Sequence, residues 1–317
     1  SGCSWLAPRQ AMRLGRPVDE ALQGLVKLGF VQQEGVVALV RHHFDETHVR
    51  RHGVEGAHDG AAFLVLPLTG LLARAPWTDL GSLLRSPVVA DALRLSLLCA
   101  TLATALSALL GIPLAWVLAR STSRFVALLR ALVTVPLVLP PVVGGVALLL
   151  TLGRTGVVGQ YLDRWFGISL PFTTAGVVVA EAFVAMPFLV VTVEGAFRSA
   201  DRGLEEAAAT LGASRLFALR HVTLPLIVPS LLAGAVLSWA RALGEFGATI
   251  IFAGNVQGRT QTLTLAIYEQ LESDLDVAIA ISILLVILSA GVLISYKLLS
   301  SWTGSSPTSP PAFGRSS

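Results

Sequence analysis

Arg241 and Glu245 carry opposite charges and stand four positions apart in a run that is otherwise almost wholly apolar and small. On a helix that spacing brings the two side chains together on one face. Ionised groups at membrane depth are costly, so they face a bundle interior or a wetted path. Two chemistries are open. Arg241 attracts an oxyanion while Glu245 keeps the grip weak, or the two form a structural ion pair. Gly244 and Gly247 beside them permit close helix approach or local opening. Glu181, alone in another apolar run, is a second candidate, either for the path or as an interfacial residue facing outward. Pro140 and Pro141, followed by Gly144 and Gly145, interrupt a third run. Adjacent prolines remove helical hydrogen bonds, which fits a gate hinge and a static kink equally.

A second pattern lies in a polar stretch from Asp201 to Pro225. Leu204, Ala207, Ala208 and Leu211 recur at i, i+3, i+4 and i+7, which is one face of a helix. Two alanines make that face flat and open to close approach. Gly212 is placed to end the helix, because glycine tolerates the left-handed conformation that helix ends require. Pro225 is expected to set the start of the next apolar helix.

The elements that must position these residues follow from hydropathy. Of 317 residues, 54% are hydrophobic and 14% charged, and the mean hydropathy is +0.72. A soluble domain carries about a quarter charged residues. Crossing a bilayer takes roughly 20 apolar residues, since the hydrocarbon core is about 30 Å thick. Runs of that length extend from Val88 to Ala119, Phe125 to Leu152, Thr173 to Phe197, Leu226 to Ala253 and Val277 to Leu299. A shorter one, Ala61 to Ala73, contains Pro67 and Gly70. The expected fold is therefore an all-α polytopic membrane protein of about six spans.

Arginine placement orients the spans. Arg120, Arg124 and Arg130 flank one short connection without an acidic residue, which assigns it to the cytoplasm. Alternation puts the Arg198 to His221 loop on the same side, with Arg198, Arg202, Arg215 and Arg220. The Val256 to Asp276 loop then lies outside, where Glu269, Glu272, Asp274 and Asp276 outnumber Arg259. Both termini come out cytoplasmic.

Several classes are disfavoured. The net charge of +3 is scattered through loops, which gives nucleic acid no stripe to bind. Cys3 and Cys99 are far apart, which argues against a disulfide framework or metal cluster. Intramembrane proteolysis needs paired aspartates or a nucleophile with a base at depth; no aspartate sits mid-span, and His221 is in a loop. Residues 1–60 differ from the rest, being mixed polar, with His42, His43, His48, His52 and His58 close together. They read as a polar N-terminal extension, and histidine clusters of this kind also bind metal. The membrane-spanning region is expected to be 61–299, and the Ser- and Pro-rich tail 300–317 is expected to be disordered.

Glu206, Ala207, Ala208 and Gly212, followed nine residues later by Val222, Leu224 and Pro225, resemble the coupling loop of ABC importer permeases. The resemblance implies a type I importer fold with a cytoplasmic coupling helix. Glu205, Glu206, Ala207, Ala208, Leu211, Gly212 and Pro225 would engage a separate ATPase subunit. That subunit would bind ATP and magnesium, so this chain would hold no cofactor. The chain contains no P-loop of the G-x-x-x-x-G-K-[ST] type. One copy of the motif implies a second permease subunit, another copy of this chain as a homodimer or a paralogue. A further stretch, Ala240 to Thr249 with Phe252-Ala-Gly-Asn255 and Arg259-Thr-Gln-Thr-Leu263, is similar to molybdate permeases. Sulfate permeases share Arg-Ala-Leu-Gly-Glu and usually diverge after it. The resemblance, from Phe63 to Leu299, implies uptake of molybdate or tungstate delivered by an extracytoplasmic binding protein, with sulfate or another oxyanion as the alternative.

Overall fold

The computed structural model describes residues 63–303, except Leu64 and Thr122. All regular structure among them is helical. The chain divides into two compact units after Gly70. Of the first, residues 63 and 65–70 are described, and they are helical. The polar extension, its histidines and the C-terminal tail lie outside the described residues, as does the start of the Ala61 to Ala73 run.

The second unit is a bundle of apolar helices. Helix α1 (Pro87–Arg120) opens on a proline, whose fixed φ and missing N–H suit a first turn. At 34 residues it is about 51 Å long, more than a bilayer core requires. Helix α2 (Arg124–Val138) is capped by Ser123, which accepts from the Val126 N–H at 3.3 Å. After Leu139 and Pro140 the chain resumes as α3 (Pro141–Leu152), bent 119° from α2. The expected break at Pro140 and Pro141 is therefore present, and Phe125 to Leu152 is a bent pair rather than one straight span.

Helix α4 (Thr174–Ser199) is the centre of the bundle and packs against α1, α2, α3 and two later helices, α6 and α7. A short helix, α5 (Arg202–Thr210), follows. The chain then runs through Arg215–Ala218 and a π-turn, Leu219–Thr223, into α6 (Leu224–Leu243). Helices α7 (Gly247–Phe252), α8 (Leu263–Ser273) and α9 (Leu275–Thr303) complete the described chain.

Among the described residues, four stretches are long and apolar enough to cross a membrane: α1, α4, Leu216–Leu243 and Leu275–Lys297. The α2–α3 pair makes a fifth if counted as one span. One sequence expectation is corrected here. The run from Leu226 to Ala253 is not continuous, because α6 stops at Leu243 and α7 starts at Gly247.

Packing explains why α1 and α4 lie together. The buried stripe of α1 is built from small residues: Ala92, Ser96, Cys99, Ala100, Ala103, Ser107, Gly111 and Ala115. Lipid is as apolar as leucine, so helices in a membrane associate through close van der Waals fit rather than through escape from water. At Gly111 the fit is tight, and a Cβ there would stand 2.9 Å from Val190 Cγ2 on α4. Leu118, Val126, Leu189, Val193, Phe197 and Ile227 fill the core beside it. Outward, Leu109, Leu128, Leu132, Leu150 and Ile287 are exposed. A belt of large apolar side chains is the surface that a bilayer solvates.

Candidate functional site

Two sets of sequence-selected residues are each assembled in space, and a third cluster was not singled out in the sequence. The first set is the loop helix α5. Asp201 starts it, its side chain accepting from the Gly203 N–H at 2.8 Å. Gly212 ends it at φ +85°. The Gly212 N–H donates to Ala209 O at 3.0 Å and the Ala213 N–H to Ala208 O at 3.0 Å. This is the Schellman arrangement, which satisfies the last carbonyls of a helix. A Cβ on Gly212 would meet nothing, so the requirement for glycine is conformational and not steric.

Glu205 ties α5 to the bundle. Its carboxylate accepts from the Arg120 guanidinium at the end of α1, and from Thr223 Oγ1 at 2.6 Å. A cavity of about 300 Å³ lies behind this junction, lined by Trp116, Arg120, Glu205, Glu206, Ala209 and Ala213 among others. The opposite side of the helix is bare. Leu204 and Ala207 are exposed and Leu211 is 88% exposed, while Ala208 is half-buried. Three of the four periodic residues thus form a small apolar face with nothing over it.

Pro225 does not start the next span. The helix is already running from Leu216, and the wide turn at Leu219–Thr223 carries it past the proline. Within that turn the Leu224 N–H reaches back to Leu219 O, five residues earlier. Such a widened turn absorbs the donor that proline lacks.

The second set surrounds the interruption between α6 and α7. Arg241 lies in the last turn of α6 and Glu245 lies beyond its end, so the pair closes across a helix terminus rather than along a continuous helix. Arg241 Nη1 and Glu245 Oε2 are 2.7 Å apart. Glu245 Oε1 accepts from the Ala248 N–H at 2.8 Å, and its backbone carbonyl accepts from Thr264 Oγ1 at 2.7 Å. This residue, 1% exposed, therefore fastens the end of α6, the start of α7 and the first turn of α8.

The two breaks named in the sequence pack on each other. A Cβ on Gly247 would stand 3.1 Å from Pro141 Cβ, and one on Gly145 would stand 2.9 Å from Ala248 O. Helices α3 and α7 meet over these glycines. Gly144 faces Phe183 on α4, at 3.0 Å for an added Cβ. Gly244 is different, since a Cβ there would find only Ala240 O at 3.6 Å. Glu181 is 1% exposed on α4, so it is a bundle-interior residue and not an outward interfacial one. Its Oε2 has no hydrogen-bond partner among the described residues.

The third set escaped the sequence. Glu194 on α4 accepts from Arg130 Nε at 2.9 Å and pairs with Arg198 Nη2 at 2.8 Å. Arg130 also donates to Leu118 O at 2.8 Å. Arginines read only as orientation signals are thus ion-paired at the end of the bundle that carries α5. Glu194 and Arg198 share helical i, i+4 spacing, a local signal that was available. Arg120 and Glu205 are 85 positions apart and gave none.

Residues 111–304 match the family model described as the inner membrane component of binding-protein-dependent transport systems. The chain belongs to that family. It is a multi-pass membrane protein and a transport component, not an enzyme. Within the family, it is 49% identical over 235 residues to the molybdenum transport system permease protein of Mycobacterium tuberculosis, covering 74% of this chain and 89% of that protein. The sulfate transport system permease protein of Salmonella typhimurium is 37% identical over 238 residues, covering 74% and 85%. Among solved structures, a chain of a bacterial ABC transporter that imports the acidic polysaccharide alginate superposes with a TM-score of 0.65 at 20% identity. That superposition covers 84% of this permease and all of that chain, and it establishes a shared fold.

Proposed function

We propose that this permease is the membrane-spanning subunit of an ATP-driven importer of molybdate or tungstate. An extracytoplasmic binding protein delivers the oxyanion, and a separate ATPase subunit, which holds ATP and magnesium, drives passage. The observation that supports coupling is the bare apolar face of α5 set against its anchored inner face. Leu204, Ala207 and Leu211 are free to enter a cleft, while Glu205 transmits a push on α5 to α1 through Arg120 and to the foot of α6 through Thr223. A force on α5 is then a force on two spans. One such helix serves one ATPase, so two permease copies serve a pair. This reading puts α5 and both termini on the cytoplasmic side.

In this mechanism the chain's own residues bind and move, and ATP hydrolysis in the partner supplies the energy. The α3–α7 contact, where the break at Pro140 and Pro141 packs against the break at Gly244 to Gly247, is the gate. The Arg241–Glu245 pair holds the broken helix in register there. Sulfate transport is the competing reading, and the 49% identity to a molybdenum permease against 37% to a sulfate permease favours molybdate. Reconstitution with the cognate ATPase and binding protein tests the choice. Radiolabelled molybdate should accumulate in an ATP-dependent way and be displaced by tungstate, with a large excess of sulfate having little effect. Accumulation of sulfate instead would reverse the assignment.

A further inference from the structure

At the end of α4 remote from α5, a basin of about 760 Å³ opens between the loop after α3 and the start of α4. Its polar lining comes from Arg154, Thr155, Ser169, Thr173 and Arg259, and no carboxylate lines it. Arg154 Nε donates to Ser169 Oγ at 3.1 Å, which steadies the side chain and leaves the terminal nitrogens without a hydrogen bond among the described residues. Arg259 is held at its backbone, where Thr174 Oγ1 donates to its carbonyl at 2.9 Å. Neither arginine is in an ion pair among the described residues, whereas Arg120, Arg130, Arg198 and Arg241 all are.

The wall between the two arginines is fixed. Phe172 stands at φ +58°, a conformation that non-glycine residues seldom adopt. Its ring lies against Gly254, where a Cβ would come within 2.9 Å of Phe172 Cδ1, and Gly254 is itself at φ +73°. Leu149, Leu150 and Gly153 at the end of α3 form the floor, so the basin adjoins the helix that meets α7. Gly156 and Gly167, which line the basin, flank the short helix Gly159–Phe166, whose Tyr161, Trp165 and Phe166 are exposed. Aromatic residues in such positions mark a membrane–water interface.

A cleft lined by one sign of charge concentrates ions of the other sign, and guanidinium forks match the oxygens of a tetrahedral anion. We propose that this basin is an oxyanion antechamber. Arg154 and Arg259 hold a tetrahedral dianion weakly, between its release by the binding protein and its passage past the α3–α7 contact. The proposal rests on the import reading and deepens it. The basin is far larger than one oxyanion, so it collects the ion without sealing it.

The test uses proteoliposomes of the assembled permease–ATPase complex with saturating molybdate-loaded binding protein. The Arg154→Gln, Arg259→Gln double variant should keep the wild-type half-saturating concentration of binding protein for ATP hydrolysis. Molybdate imported per ATP should fall about tenfold, the scale of losing charge-assisted hydrogen bonds. Lysine at both positions should recover part of the loss. Unchanged import per ATP would overturn the proposal. A raised half-saturating concentration with import per ATP intact would also overturn it, by making the basin a docking surface for the binding protein. A wild-type complex that imports no oxyanion would instead refute the import reading on which the proposal stands.

Discussion

Glu245 shows how one side chain does work that its spacing to Arg241 only half reveals. The i, i+4 interval announced an ion pair, and the pair is there at 2.7 Å. The second job of the carboxylate, accepting the Ala248 N–H, appears only because the helix stops between the two residues. Replacing Glu245 by alanine leaves a partly exposed arginine unmatched and a helix start uncapped. Removing one partner of a fully buried pair costs roughly 3 to 5 kcal/mol, and because Arg241 is partly exposed the loss here should fall below that range. Glutamine at 245 keeps an acceptor and should cost less. Exchanging the two residues should not restore stability, because arginine has five donors and no acceptor to offer Ala248. Thermal unfolding of the purified protein in lipid nanodiscs measures all three. A swapped variant melting with the wild type would mean that the pair alone matters. The Arg120–Glu205 contact, by contrast, was invisible beforehand, since nothing local links residues 85 apart.

At the scale of elements, the apolar runs were legible because a span needs length and hydropathy and little else. The kink at Pro140 and Pro141 was legible for an equally local reason. The interruption of α6 was not. Leu226 to Ala253 is apolar nearly throughout, and its break is fixed by partners on other elements, Thr264 on α8 and Pro141 on α3. Nor did the motif around Pro225 reveal that the helix was already under way upstream of it. The glycines at the α3–α7 contact give this scale its own prediction. Gly145→Ala and Gly247→Ala push a methyl group to 2.9–3.1 Å from neighbours, at Gly145 against backbone, and should each destabilise by about 1 to 3 kcal/mol. Gly244→Ala, facing 3.6 Å of clearance, should be tolerated in melting temperature. Equal effects at all three positions would show that the glycines serve helix-end conformation and not close packing.

For the whole molecule, the account joins two ends of one central helix. Helix α4 runs about 39 Å, from Thr173 at the proposed antechamber to the threshold of α5, and it touches α1, α6 and the α3–α7 contact on the way. Under the proposed coupling, a push on α5 would reach α1 and α6 through Glu205, and both of those helices pack on α4. The central claim is that the bare face of α5 receives that push from the ATPase. Ala207→Trp tests it most directly, because Ala207 is exposed on the side of α5 turned away from Glu205. The measurement is ATP-dependent molybdate uptake by reconstituted complexes with loaded binding protein. The account predicts that Ala207→Trp melts at the wild-type temperature and loses nearly all uptake. Wild-type uptake in that variant would contradict it.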